Sequence, residues 1–292
     1  MRDRRVVFDF EIAFANGGGV QGQEFRLDIE EAEISDRELA DYIVEDLQLL
    51  MVSKVEIRNK RYITEPHKRT GPSSSEGPAI VDLSHPISDG MITYPGLPGP
   101  TITTHLSRAE SRNHYAKGTE FHIGRVEMVA NTGTYIDTPF HRYPEGHDIA
   151  SLPLDRIVAV PGVVVDATER NIGPDTFDNT ETWGRAVLIR TGWDVHFGQD
   201  DYVGDHPHLT EAAAQRLIDG GAALVGIDSA NIDDTTGSER PVHSLLLANQ
   251  IPIVEHLTHL DQLPTTQFYF YAIPAPIVGV GTFPIRAIAR WS

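Results

Sequence analysis

The apolar positions change period several times along the first seventy residues. Residues 6–14, VVFDFEIAF, alternate apolar and polar as a half-buried strand does, and Gly17, Gly18 and Gly19 follow as a turn. Residues 36–51, DRELADYIVEDLQLLM, shift to helical spacing, with Asp36 as the expected cap and Glu38 and Leu39 in the opening turn. Residues 54–64, KVEIRNKRYIT, return to a strand pattern, with a turn expected near Arg58 and Asn59. The glycine triplet is read as a hairpin turn and not as a phosphate loop, because no Lys-Ser/Thr follows and the strand–loop–helix order is missing. The pattern predicts a small α+β unit over residues 1–69. A unit of that length is near the lower limit for burying its own core, so it is expected to pack on the rest of the chain or on a neighbouring subunit.

At residues 70–78, TGPSSSEGP, the pattern stops, and Gly, Pro and Ser mark a linker. From residue 79 to 292, strand-like runs (AIVDLSH, VAVPGVVVDA, AVLIRTGW, ALVGIDS, IPIVEHL, FYFYAIPAP) alternate with Gly, Pro and Asp turns. Only LTEAAAQRLIDGG reads as a long helix, with Thr210 as cap, Glu211 in the first turn and Gly220-Gly221 as the stop. The prediction is a strand-rich α/β domain.

Composition narrows the chemistry. The chain of 292 residues has no cysteine, so any bound metal must use His, Asp, Glu or other oxygen donors. Its formal charge of −18 repels phosphate backbones and anionic lipid, which sets nucleic acid and membranes aside, and its ordinary meaning is solubility. The start, MRDRRVVFDFEIAF, is charged and then alternating, unlike a signal peptide, and a cytoplasmic location is expected.

Four residues carry the candidate chemistry. Asp137 and His141 lie four apart in NTGTYIDTPFH, and HSLLLANQIPIVE runs from His243 to Glu255. Two carboxylates and two imidazoles suit zinc or manganese in a cysteine-free protein. Singly, each has an ordinary reading: Asp137 as a turn former, His141 as a loop histidine, His243 as a helix cap, Glu255 as an exposed acid at a strand end.

The segments DLSHPISDGMITYPG (82–96), NTGTYIDTPFH, VGIDSANID (225–233), HSLLLANQIPIVE and FPIRAIA (283–289) together resemble the cyclase family of metal-dependent hydrolases, the group that contains bacterial kynurenine formamidase and isatin hydrolase. The resemblance covers residues 79–292 and leaves residues 1–70 outside. It implies a strand-rich swivelling β/β/α domain, usually in homodimers or larger assemblies. It also implies that Asp137, His243 and Glu255 are metal ligands and His141 the catalytic proton shuttle. Gly133 and Thr134 match the tight backbone of the family segment, whereas Asn131 and Tyr135 stand where the family has two metal-binding histidines. An amide oxygen is a weak donor and a phenol must first lose its proton, so one divalent ion is expected and not two. No organic cofactor is implied. Tyr94, Asn131 and Trp193 are the candidate substrate-binding residues.

Three functions stay open at this stage. The first is metal-assisted hydrolysis of a small cyclic or aryl amide, lactam or ester with His141 as acid and base. The second is a metal-independent lyase, dehydratase or cyclase that uses His141, Asp137, Tyr135 and Glu255 on the same fold. The third is a binding module without catalysis. His256 and His259, in EHLTH, are read as supporting or surface residues, His85 as a structural hydrogen-bonding residue, and Arg286 as an ion-pair partner.

Overall fold

The computed structural model describes residues 2–28, 34–46, 49, 51–66 and 79–291. They divide into two units, Met1–Glu76 and Gly77–Ser292. The expected linker at 70–78 lies outside the described residues.

In the first unit, strands β1 (Arg2–Phe14), β2 (Gly19–Asp28) and β3 (Val52–Pro66) pair antiparallel in the order β2-β1-β3, and helix α1 spans Asp36–Asp46. Alternation puts Val6, Phe8, Phe10 and Ile12 into one cluster, which Leu39 and Ile43 of α1 complete. Two local expectations change. Ser35, not Asp36, caps α1: Glu38 N donates to Ser35 Oγ (3.2 Å) and Ser35 N donates to Glu38 Oε2 (2.8 Å), a reciprocal pair that Asp36 could not make. No turn breaks the chain at Arg58 and Asn59, because β3 is one strand with a bulge there. Asn59 sits at φ 52°, and its side chain donates to Asp9 Oδ2 across the sheet at 2.6 Å.

The second unit runs β4 (Ala79–Asp82), β5 (Thr101–Leu106), α2 (Arg108–Ser111), β6 (Ile123–Glu127), β7 (Tyr135–Asp137), β8 (Val160–Asp166), β9 (Asn171–Ile172), β10 (Ala186–Arg190), β11 (His208–Leu209), α3 (Glu211–Asp219), β12 (Leu224–Ile227), α4 (Pro241–Ala248), β13 (Ile253–Glu255), β14 (Phe268–Tyr271), β15 (Thr282–Pro284) and β16 (Ile288–Trp291). Nine strands form one sheet in the order β15-β7-β13-β12-β10-β8-β14-β16-β4. Its centre, β8, β10, β12 and β13, is parallel, and such strands are apolar on both faces because both are covered. Val163, Val165, Val187, Ile189, Val225, Ile227 and Ile253 face a cluster completed by Ala213, Ala214 and Leu217 of α3 and Val242, Leu246 and Leu247 of α4. The intervening Val164, Leu188, Leu224 and Val254 face the opposite cluster, with Phe268 and Phe270. Truncating one of these, such as Leu188→Ala, would cost about 2–5 kcal/mol.

Thr210 caps α3 by accepting from Ala213 N (3.2 Å), and Gly221 ends the turn at φ 70°. His243 lies inside α4 instead of capping it, since Pro241 takes the first turn. Among the described residues no helix is long and apolar enough to cross a membrane.

Candidate metal and acid–base centre

The segment NTGTYIDTPFH is not a free loop. Gly133, at φ 65°, turns the chain into the three-residue strand β7, and Pro139 then opens a 3-10 turn over Pro139–His141. β7 is held between β13 and β15, so each of its residues has a partner on both sides. Tyr135 opposes Glu255 and Pro284, while Asp137 opposes Ile253 and Thr282. The sheet register therefore brings Asp137, Tyr135, Glu255 and Thr282 together from three separate stretches of sequence.

Asp137, His243 and Glu255 are buried and each presents one donor atom, all within 4.8 Å of one another. His243 Nε2 lies 3.5 Å from Asp137 Oδ2 and 3.6 Å from Glu255 Oε1. Its other nitrogen, Nδ1, is 2.6 Å from Asp233 Oδ2, and Asp233 also accepts from the backbone N of Val242 (2.8 Å) and His243 (3.0 Å). A carboxylate behind an imidazole in this way fixes the tautomer and aims the free nitrogen at the centre. Burial opposes a charge on His243, yet Glu255, Asp137 and Asp233 outweigh it and raise His243 to about 10. Burial also raises Glu255, to about 7, against the pull of His243.

The residues fit a single divalent ion. Asp137 Oδ2 is buried with no hydrogen-bond partner among the described residues. It lies 3.5 Å from His243 Nε2, which also faces Glu255 Oε1 at 3.6 Å, so two buried carboxylates share one imidazole, an imbalance that a divalent ion would offset. Two buried carboxylates and a correctly oriented imidazole are a donor set for zinc or manganese.

His141 sits at the edge of this cluster with its side chain 37% exposed and its Nδ1 3.7 Å from Asp137 Oδ1. Thr282 stands between the two. Its hydroxyl donates to Asp137 Oδ1, and its oxygen is 2.7 Å from His141 Nδ1. A hydroxyl has one proton, and a carboxylate can only accept, so His141 Nδ1 must be the donor to Thr282. The neutral ring then carries its proton on Nδ1, and Nε2 is the available base. Gly281 makes the approach possible: a Cβ there would lie 2.4 Å from His141 N.

Tyr135 is 1% exposed and its hydroxyl donates to Glu255 Oε2 at 2.6 Å. Tyr94 OH donates to the carbonyl of Ala230 and accepts from Asn231 Nδ2 at 2.9 Å. Burial, reinforced by the charge of Glu255, pushes both phenols well above the ordinary 10, so both remain neutral hydrogen-bonding groups. These tyrosines, with Asn131, Asn231, His141, Arg142, Arg240, His243 and Ser244, line a cavity of about 550 Å³.

Trp193 is placed elsewhere. Its indole N donates to the Tyr202 carbonyl (2.8 Å) and its ring stacks on His196, outside the cavity lining. His256 is buried between Tyr94, Tyr135 and Tyr202. His259 Nδ1 is 3.0 Å from the Asp82 carbonyl. His85 stacks on Phe197 with no hydrogen bond to its Nε2 among the described residues, and Arg286 is held by Asp82 at 2.7 and 2.9 Å. Composition and spacing did not single out Asp233, Thr282 or Asn231, which hold the centre, nor Arg142, Arg240 and Ser244, which line the cavity. Asp233 and Thr282 left no local signal, because each meets its partners only through the tertiary fold.

A family model described as putative cyclase matches residues 81–234. The chain is 27% identical over 212 residues to a kynurenine formamidase of Bacillus cereus, covering 72% of this chain and 96% of the relative. It is 28% identical over 211 residues to the kynurenine formamidase of Geobacillus thermodenitrificans, with the same shares covered. A solved structure described as a potential metal-dependent hydrolase with cyclase activity aligns at TM-score 0.61 and 26% identity, over 74% of this chain and 99% of that one. Isatin hydrolase A from Ralstonia solanacearum shares the fold at TM-score 0.62 and 22% identity, over 74% of this chain and 92% of that one.

Proposed function

The chain belongs to the cyclase family, and we propose that it is a hydrolase of non-peptide carbon–nitrogen bonds, acting on a small aryl or cyclic amide with the help of one divalent ion. The observation that carries this reading is the convergence of three buried donor groups, with His243 Nε2 3.5 Å from Asp137 Oδ2 and 3.6 Å from Glu255 Oε1. Likeness to kynurenine formamidases supports the amide class.

Asp137, His243 and Glu255 would hold the ion. Bound there, it would lower the pKa of a water and polarise the substrate carbonyl. His141 Nε2, with Nδ1–H committed to Thr282, takes a proton from the attacking water. The water oxygen joins the carbonyl carbon, the C–N bond breaks, and the same His141 proton passes to the leaving nitrogen. The products are a carboxylate and an amine. Asp233 keeps His243 aimed, and Tyr135 fixes Glu255 by its hydrogen bond.

The lyase alternative needs Tyr135 as a free acid. Its hydroxyl instead donates to Glu255, which favours hydrolysis. Assaying formanilide and a five-membered aryl lactam on chelated protein, with and without added zinc or manganese, tests the proposal. Ion-dependent release of amine or ring-opened acid, with about one ion bound per chain, is the expected result. Ion-independent turnover, or no ion uptake, would sink it.

A further inference from the structure

We propose that this cavity selects substrates carrying a carboxylate, and that Arg142, supported by Arg240, is the residue pair that recognises it. The inference rests on the hydrolase reading above and adds the substrate class.

Arg142 follows His141 directly, so the 3-10 turn that presents the base also delivers a guanidinium to the same cavity. Its Nε donates to Ser244 Oγ at 3.3 Å, and its Cζ lies 5.5 Å from the Tyr143 ring. Those contacts hold the stem and leave both Nη groups without a partner among the described residues. Arg240 reaches the cavity from the residue before α4. Its Nη1 donates to the carbonyls of Asp234 (3.1 Å), Gly237 (3.0 Å) and Glu239 (2.6 Å), which leaves its Nε and Nη2 without a partner among the described residues.

Neither guanidinium is ion-paired among the described residues, whereas Arg286 has Asp82 and Arg170 has Asp205. The contrast matters because acids outnumber bases 42 to 24 along the chain. Among the described residues only one carboxylate, the exposed Glu239, lines the cavity, and it pairs with neither arginine. A cavity of about 550 Å³ has room for a molecule of one or two rings. Its reacting amide would face His141 and the Asp137–His243–Glu255 cluster, and its carboxylate would meet the arginines. A guanidinium fork matches a carboxylate in geometry and charge, which an ordinary polar rim does not. Arg142 as a mere surface cation and Arg240 as a mere loop brace are the alternatives to exclude.

The test compares formanilide with 3-formamidobenzoate, two substrates with the same scissile bond that differ by one carboxylate. The parent should prefer the anion by about tenfold or more in kcat/KM, through KM. Arg142→Gln should collapse that ratio by about tenfold, and Arg142→Lys should restore part of it. Because the ratio is internal to each protein, partial unfolding cannot imitate its loss. Equal preference in the parent, or a ratio unchanged in Arg142→Gln, overturns the proposal and leaves the hydrolase reading standing. If neither compound is turned over, the hydrolase reading fails, and calorimetric binding of benzoate against benzamide decides the arginine assignment. Benzoate selectivity lost in Arg142→Gln upholds it; equal binding by parent and variant overturns it.

Discussion

His141 Nδ1 lies 2.7 Å from Thr282 Oγ1, although the two residues are 141 positions apart in the chain. Because the Thr282 hydroxyl also donates to Asp137, the contact reads as a relay that fixes the imidazole tautomer. Replacing Thr282 by Val keeps the shape and removes the hydroxyl. Steady-state kinetics of Thr282→Val should show kcat reduced about 10- to 100-fold with the bound ion retained, and Thr282→Ser should recover most of it. A Val variant as active as the parent would remove Thr282 from the mechanism.

The ion site depends on Asp233 in the same indirect way. Asp233 orients His243 Nδ1 and accepts two backbone N–H groups at the start of α4. Asp233→Asn should weaken zinc or manganese binding about 10- to 100-fold in a competition titration with a chelator. Unchanged affinity would show that packing alone aims His243.

Gly281 sets the distance between β15 and the 3-10 turn. A methyl at this position would lie 2.4 Å from His141 N and 2.5 Å from its Cα, both backbone atoms that cannot turn aside. Gly281→Ala should therefore displace His141, lower kcat and reduce thermal stability together. Full activity with an unchanged melting temperature would contradict the close approach.

His85 governs part of the acid stability. Burial lowers it to about 4 against the opposing pull of Asp194, and its Nε2 has no hydrogen-bond partner among the described residues. Its folded pKa lies below the ordinary value of about 6.5, so the unfolded chain takes up the proton first. The stabilisation is complete above about pH 6.5 and is lost as pH falls towards 4, with a slope of up to about 1.4 kcal/mol per pH unit. His85→Phe, which keeps an aromatic ring against Phe197, should reduce the slope of urea-unfolding stability across that window, the remainder coming from buried His256, lowered to about 3. An identical pH dependence in the variant would show that His85 is not the titrating group.

The apolar runs alone marked β8, β10, β12 and β13 as strands, because strands buried on both faces are largely apolar; that they pair in parallel was decided by the sheet. Helix α3 was equally legible, since Thr210 and Gly221 are local signals whose effect does not depend on distant residues. Asp137, His141, His243 and Glu255 could be named from residue type and order. The cysteine-free composition also determined that any metal would be held by oxygen and nitrogen. What the sequence could not contain is register. Tyr135 meets Glu255, and Asp137 meets Thr282, because β7 is clamped between β13 and β15, and cross-strand partners are chosen by the whole sheet. The same physics made NTGTYIDTPFH part strand: its turn-forming residues lost to two neighbouring strands that satisfied its backbone. Only the tertiary structure placed Trp193 away from the cavity, committed the Tyr135 proton to Glu255, and brought Arg142 and Arg240, neither ion-paired among the described residues, to one cavity. Those are distances between residues far apart in the chain, and no local propensity encodes them.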